Sequence, residues 1–344
     1  MSVLELPGDI GVAFSHLAAV GLASIVEGAG AERVTLSWSA SLDARAIVSA
    51  VGLDWDVAAR IVHAHAVAHA EAGDWTGATV PGTAAGLLSP RIKVPADDDA
   101  WVALTAARRV AIDEQLRAGR WLDLALIGAL GEPAHWRFDT QHARRPDEGA
   151  SRWEMKTRNR GEDFVVHRLR KLAIAIAARK VDAIRDGLSG ASLADEHGGN
   201  AVDSRTATGL AAPGPVDNAL AWCALWGISA FPVIPRVTRP SLTAGHLSRR
   251  RAGGGPREDW FYLPVPSRPI RLARYRHVAT SDQLATMAIS AIESEADTLD
   301  GEAARAWLAV RHIGGIVRFP IGVYGSASAP ERRTLLGTVD RVRR

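Results

Sequence analysis

A chain of 344 residues, 47% hydrophobic and 23% charged with a net charge of +3, describes a globular protein of one large domain or two ordinary ones around a real core. Its single cysteine, Cys223, excludes an intramolecular disulfide and fits a reducing compartment. No stretch is long and apolar enough to span a membrane, so no membrane partner and a cytoplasmic location are expected.

The first apolar run, Ile10 to Val26, lacks a positive segment before it and is flanked or interrupted by Asp9 and His16, so it reads as a buried helix rather than a leader. Its helical spacing extends over 11–28 through Phe14, Leu17, Leu22 and Ile25 and stops at Gly28 and Gly30. Arg33 to Trp38 alternates and reads as a strand. Asp43 is expected to cap a short helix to Val51, and Asp54 a second one to about Ala72. That second helix carries His63, His65 and His69. His65 and His69 share a face, but a metal site would need a third ligand such as His16, Glu71 or Asp74, and no HExxH or CxxC pattern is present. Hydrogen-bonded or solvated histidines are therefore expected, with no metal and no cofactor.

Residues 73–95, rich in Gly, Pro and Thr, read as irregular loop. The Asp97-Asp98-Asp99 triplet favours the start of a helix over Trp101 to Leu116, because carboxylates suit the positive end of the helix dipole. Trp121 to Leu130 fits either strand or helix. The polar stretch 140–150 divides the chain into an acidic region, 1–145, and a region 146–344 that holds two basic segments. Residues 1–151 carry 12 Arg and Lys against 19 Asp and Glu, a net −7; residues 152–185 carry 10 against 4, and residues 236–276 carry 10 against 2. Arginine outnumbers lysine 37 to 4, which looks like coding bias, but bias does not explain clustering. Two basic segments on an otherwise acidic chain are the footprint of a polyanion partner.

In the first basic segment a polar loop with Lys156, Arg158, Asn159 and Arg160 precedes a helix expected over Glu162 to Arg185. Val165, Leu169, Leu172 and Ile176 form its apolar stripe, and Arg168, Lys171 and Arg179 another, cationic face. Next comes a small-residue loop, 203–214, with Arg205 and Gly209, which turns into a helix at Pro215. Pro215 suits a first helical position, and Asp217 suits the first turn. Arg205 and the Gly209 turn are expected to meet the loop at 156–160 in one anion-binding cleft, since each loop feeds a helix N-terminus. Asn218 either reaches a base edge or sugar, or ties down the loop backbone. Phe231 to Val237 reads as edge strand, Arg249, Arg250 and Arg251 as a basic turn, and Trp260 to Val265 with Ile270 to Arg276 as an arginine-decorated hairpin. Ser281 or Asp282 opens a helix to about Glu293, Gly314 to Val323 is β-rich, and the tail from Ser326 reads as frayed. Most of the 11 tryptophans should be core or interface anchors. The class expected is α+β, with mixed helices and small antiparallel sheets and no repeat architecture.

Three stretches carry a resemblance: Lys156 to Phe164 (KTRNRGEDF), Ser204 to Leu220 (SRTATGLAAPGPVDNAL) and Val317 to Pro320 (VRFP). They resemble actinobacterial CRISPR-associated proteins of type I-U, also called I-G, over residues 11 to about 333. The resemblance implies a large or accessory subunit of the interference complex, bound to crRNA, a double-stranded DNA target and other subunits. It also implies help in recognising the short motif beside the target, with nuclease activity in a separate helicase-nuclease. No functional residue is carried across singly. The chain is thus expected to be non-catalytic. The alternatives are an RNA endonuclease using His167 or His246 as acid or base, and a protein-binding scaffold anchored by exposed tryptophans.

Overall fold

The computed structural model describes residues 2–39, 44–92, 95–132, 138, 141–142, 148–153, 163–204, 209–236, 240–250, 257–293, 298–326 and 329–342. Its helices are α1 Ala13–Gly28, α2 Trp55–Ala70, α3 Asp98–Arg117, α4 Trp121–Leu130, α5 Arg170–Ala177, α6 Val181–Ser189, α7 Asn218–Gly227, α8 Leu272–Ala279, α9 Asp282–Glu293 and α10 Leu299–Val310. Strands β1 Ser2–Glu5, β2 Thr35–Trp38 and β3 Ala46–Ala50 precede β4 Val233–Ile234, β5 Leu242–Thr243, β6 His246–Arg250, β7 Arg257–Pro266 and β8 Ile270–Arg271. β9 Ile313–Ser326, β10 Ala329–Thr334 and β11 Thr338–Arg341 complete the set. The protein is α+β, with small antiparallel sheets and, among the described residues, neither a closed barrel nor a repeat.

The core is built on α1 and α7. Both are apolar all round and buried along nearly their whole length, the pattern of a helix enclosed on every side rather than lying on a surface. Their backbones touch. A Cβ at Gly21 would lie 1.7 Å from the carbonyl oxygen of Cys223, and one at Gly227 would lie 2.2 Å from that of Leu17. Only glycine permits this approach.

One sheet has the order β1-β3-β2-β8, antiparallel throughout, and packs against α1. Where a helix was expected over 43–51, Ala46–Ala50 is a strand, and Asp43, its expected cap, lies outside the described residues. The strand's Ile47, Val48 and Ser49 pair with both neighbours in the middle of the sheet, and this pairing overrides the weak helix signal. The last strand, β8, comes from beyond residue 145, as does α7. The division at 145 therefore does not separate two cores; buried residues from both sides form one cluster.

A second sheet has the order β10-β9-β7-β6, with β11 also on β9. β10 and β11 form one returning edge, interrupted where Leu335 N–H donates to the Pro320 carbonyl and Gly337 N–H turns away to that of Gly11. The expected fraying from Ser326 is thus corrected for the described residues: Ala329–Thr334 and Thr338–Arg341 pair with β9. The expected 260–276 hairpin is corrected as well. β7 pairs with β6 and β9, while β8 crosses to β2 and the chain turns at once into α8.

Asp54, Asp97 and Asp217 each accept a backbone N–H at the start of their helix, as their sequence positions suggest. Pro215, however, lies outside α7, because Asp217 takes the cap and the helix begins at Asn218. The helix expected over 162–185 is broken. It opens with a π-turn at Val165–Leu169, continues as α5, and is interrupted at Lys180, whose extended backbone (ψ 149°) separates α5 from α6.

Candidate nucleic-acid interface

Of the residues singled out in the sequence, Lys156, Arg158, Asn159, Arg160, Arg205 and Arg251 lie outside the described residues. The others are scattered. Lys171 is exposed on α5, and Arg249 and Arg250 are exposed at the end of β6. Arg168 is a correction: it is 1% exposed, inside the core rather than on a cationic face. The wider winding of the π-turn shifts residues away from the face a 3.6-residue period assigns, and this carries Arg168 inward. Arg179 is withdrawn too. Its guanidinium spans Asp217 at 3.0 and 3.1 Å and Glu196 at 2.7 Å.

The two helix N-termini expected to receive phosphate are filled by the protein's own carboxylates. Asp163 Oδ1 accepts from the N–H of Val165 (2.9 Å) and Val166 (3.0 Å) and from Ser89 Oγ, and its Oδ2 accepts from Gly86 N–H. Asp217 accepts from Ala219 N–H at 2.8 Å and from Ala194 N–H at 3.0 Å. Donors satisfied in this way have nothing left for an anion.

Asn218 is a second correction, at 0% exposure. Its Oδ1 accepts from His197 N–H, and its Nδ2 donates to Asp195 Oδ1 at 2.9 Å and more weakly to the Val216 carbonyl. Asp195 also receives Gly198 N–H and Ser204 Oγ. This is a closed network that ties the loop at 194–204 to the head of α7. Of the two roles weighed for Asn218, the geometry matches the architectural one.

Positive charge collects instead beside β6 and β7. Trp153, which precedes the basic stretch 154–162 in sequence, is held from two directions. Its indole stacks on Phe261 of β7 at 3.6 Å and 9°, and its Nε1 donates to the Ala244 carbonyl at 2.9 Å. Arg152 N–H donates to Thr243 Oγ1 of β5 at 3.0 Å. Residues 151–153 are therefore anchored against β5–β7. Next to them, His246 packs edge-on against Phe261, with Nε2 3.8 Å from Asp259. Burial pulls its pKa down to about 4. Asp259 opposes this, while the charges of Arg152, Arg332 and Arg257 reinforce it. His246 is consequently neutral at physiological pH, and the charge of this face belongs to arginines. Farther along the ladder Arg250 stands directly opposite Arg257, and Arg249 opposite Glu258. Arg250 and Arg257 share the face of His246, whereas Arg249 and Glu258 lie on the other. The other histidine considered, His167, accepts Asp163 N–H through Nδ1 at 3.1 Å.

The sequence reading missed a third polar centre. His69 Nδ1 faces the His65 carbonyl at 2.7 Å, and Nε2 faces Asp123 Oδ1 at 2.9 Å, so both ring nitrogens carry protons. Burial would depress the His69 pKa, but the hydrogen bond and charge of Asp123 outweigh it and raise the value. Burial likewise would raise Asp123, and His69 and Trp75 hold it below its ordinary value. Trp75 Nε1 donates to the same oxygen at 2.6 Å, and Trp222 Nε1 donates to His65 Nδ1 at 3.1 Å. Burial holds His65 neutral, with a pKa of about 3. Among the described residues no group of three or more His, Cys, Asp or Glu is arranged to hold a metal ion. Only the i, i+4 histidines were visible in sequence; nothing local marks Asp123 as their partner. Compared with protein-family models, with curated proteins and with solved structures, the chain matches none.

Proposed function

We propose that this chain is a non-catalytic nucleic-acid-binding subunit of a type I-U (I-G) CRISPR interference complex, working in the cytoplasm with crRNA, a double-stranded DNA target and the other subunits. The observation that carries the binding reading is the facing pair Arg250 and Arg257, both exposed and on one face of the sheet, where the edge strand β6 meets β7. Like charges directly opposite one another on a ladder destabilise it, and a phosphate backbone laid across them removes the repulsion. The assignment to a CRISPR complex rests on the three resembling stretches alone.

The test is binding of duplex DNA and single-stranded RNA by fluorescence anisotropy across a salt series. The Arg250→Ser, Arg257→Ser variant should bind more weakly and lower the log–log salt slope by about 2, since each phosphate contact contributes roughly 0.9. Unchanged affinity and slope would remove this face from the reading. Cleavage of the RNA probe that disappears in His246→Ala would transfer the chain to the endonuclease class.

A further inference from the structure

A cleft of about 380 Å³ opens where β7 ends, β9 begins and β11 ends. This is the lower end of the roughly 300–1,000 Å³ range of small-ligand clefts. Its walls are Ser267 and Arg268 from the turn after β7, Ala309 and His312 from the end of α10, and Val342 after β11, with Gly314 in the floor. Among the described residues no acidic side chain lines it, and two nitrogen-bearing ones do, Arg268 and His312.

The position of His312 is built in, while Arg268 projects exposed from the turn after β7. His312 has φ +63°, a left-handed conformation that a residue with a Cβ rarely adopts. Ser267 holds it there from across the cleft: its N–H and its Oγ both donate to the His312 carbonyl, at 2.8 and 3.1 Å. Gly314 lets the Ser267 turn settle this low, since a Cβ there would come 2.8 Å from that of Ser267. The Val342 N–H donates to the Gly314 carbonyl at 2.9 Å and sets the third wall. The C-terminus of α10 would ordinarily disfavour an anion. Here, however, the carbonyls of Leu308 and Ala309 are taken by the N–H groups of Arg311 and His312, at 3.0 Å each.

We propose that this cleft binds a phosphomonoester, its phosphate held by the Arg268 guanidinium and the His312 imidazole, with room for the group that carries it. A guanidinium fork matches two phosphate oxygens, and an imidazole N–H supplies a third contact from another direction. The chemistry is shared by a free nucleotide and by the phosphorylated end of a nucleic-acid strand. The proposal does not depend on the arginines of β6 and β7.

The experiment is calorimetric titration of the full chain with inorganic phosphate, adenosine monophosphate and, as a control anion, acetate. Phosphate and the nucleotide should bind and acetate should not. Arg268→Ala and His312→Gly should each weaken nucleotide binding at least about tenfold, the worth of one charge-assisted hydrogen bond. Arg268→Lys should recover part of the loss. Glycine accepts the φ of position 312, so that variant removes the ring without straining the turn; unchanged melting temperatures verify folding. Oligonucleotides with and without a 5′-phosphate identify the source: a variant-sensitive preference for the phosphorylated strand supports a strand end, and equal binding of both strands beside tight nucleotide binding supports a free nucleotide. No binding of any probe, acetate binding as tightly as phosphate, or variants that bind like the parent would each overturn the proposal. That outcome would leave the salt-dependent binding by β6 and β7 standing.

Discussion

Replacing Asp123 with alanine should cost more than any surface change in this protein, and the cost should depend on pH. Asp123 is 6% exposed and accepts from two buried donors, His69 Nε2 and Trp75 Nε1. Asp123→Ala leaves an imidazolium without its counter-charge and an indole N–H without an acceptor. Breaking a buried ion pair by removing one member costs about 3–5 kcal/mol. The His69 pKa is raised above its ordinary 6.5, so its contribution is complete below 6.5 and is lost as pH rises through the folded value. The Asp123 pKa is lowered from 3.8, so its contribution is complete above 3.8 and is lost as pH falls through the folded value. The pair is therefore at full strength between 3.8 and 6.5. Urea unfolding followed by tryptophan fluorescence, at about pH 5 and again at about pH 9, measures the effect. The loss on Asp123→Ala should be near 4 kcal/mol at the lower pH, on the order given above, and smaller at the higher. A loss below about 1 kcal/mol, or one equal at both pH values, would refute the imidazolium–carboxylate assignment.

Two further changes probe the core and the loop. Gly21→Ala should destabilise by about 3 kcal/mol or more, because the new Cβ meets backbone of α7 that cannot move aside, whereas Gly28→Ala meets only Leu122 at 3.7 Å and should be tolerated; thermal melts of the two variants should separate widely. Asn218→Ala should lower stability by about 1–3 kcal/mol, by orphaning His197 N–H and one bond to Asp195, without changing sequence preference in DNA binding. A changed preference with an unaltered melt would return Asn218 to a base-reading role.

Caps and period are local properties, and these were legible from residues alone. Asp54, Asp97 and the apolar spacing of 11–28 placed three helices close to where they lie, because a carboxylate next to free N–H groups and a 3.6-residue stripe need no distant partner. Of the arginines and lysines selected from the charge clusters, Lys171, Arg249 and Arg250 are exposed, Arg168 is buried and Arg179 is ion-paired, while the others lie outside the described residues.

Tertiary structure decided everything that depends on a partner far away in sequence. Whether 46–50 became helix or strand was settled by β1 and β2 on either side, and the destination of β8 was settled by β2, more than 200 residues earlier in the chain. One π-turn shifted the register of a predicted face and buried Arg168, an irregularity no periodic template anticipates. The acidic residues explain the rest. The place of Asp217 at the head of its helix was legible, but the distant donors that also hold these carboxylates were not: Gly86 N–H and Ser89 Oγ on Asp163, Ala194 N–H and the Arg179 guanidinium on Asp217. Asp123 became the counter-ion of His69, across 54 residues. A carboxylate's role is set by which donors surround it after burial, and that is information only the folded chain contains.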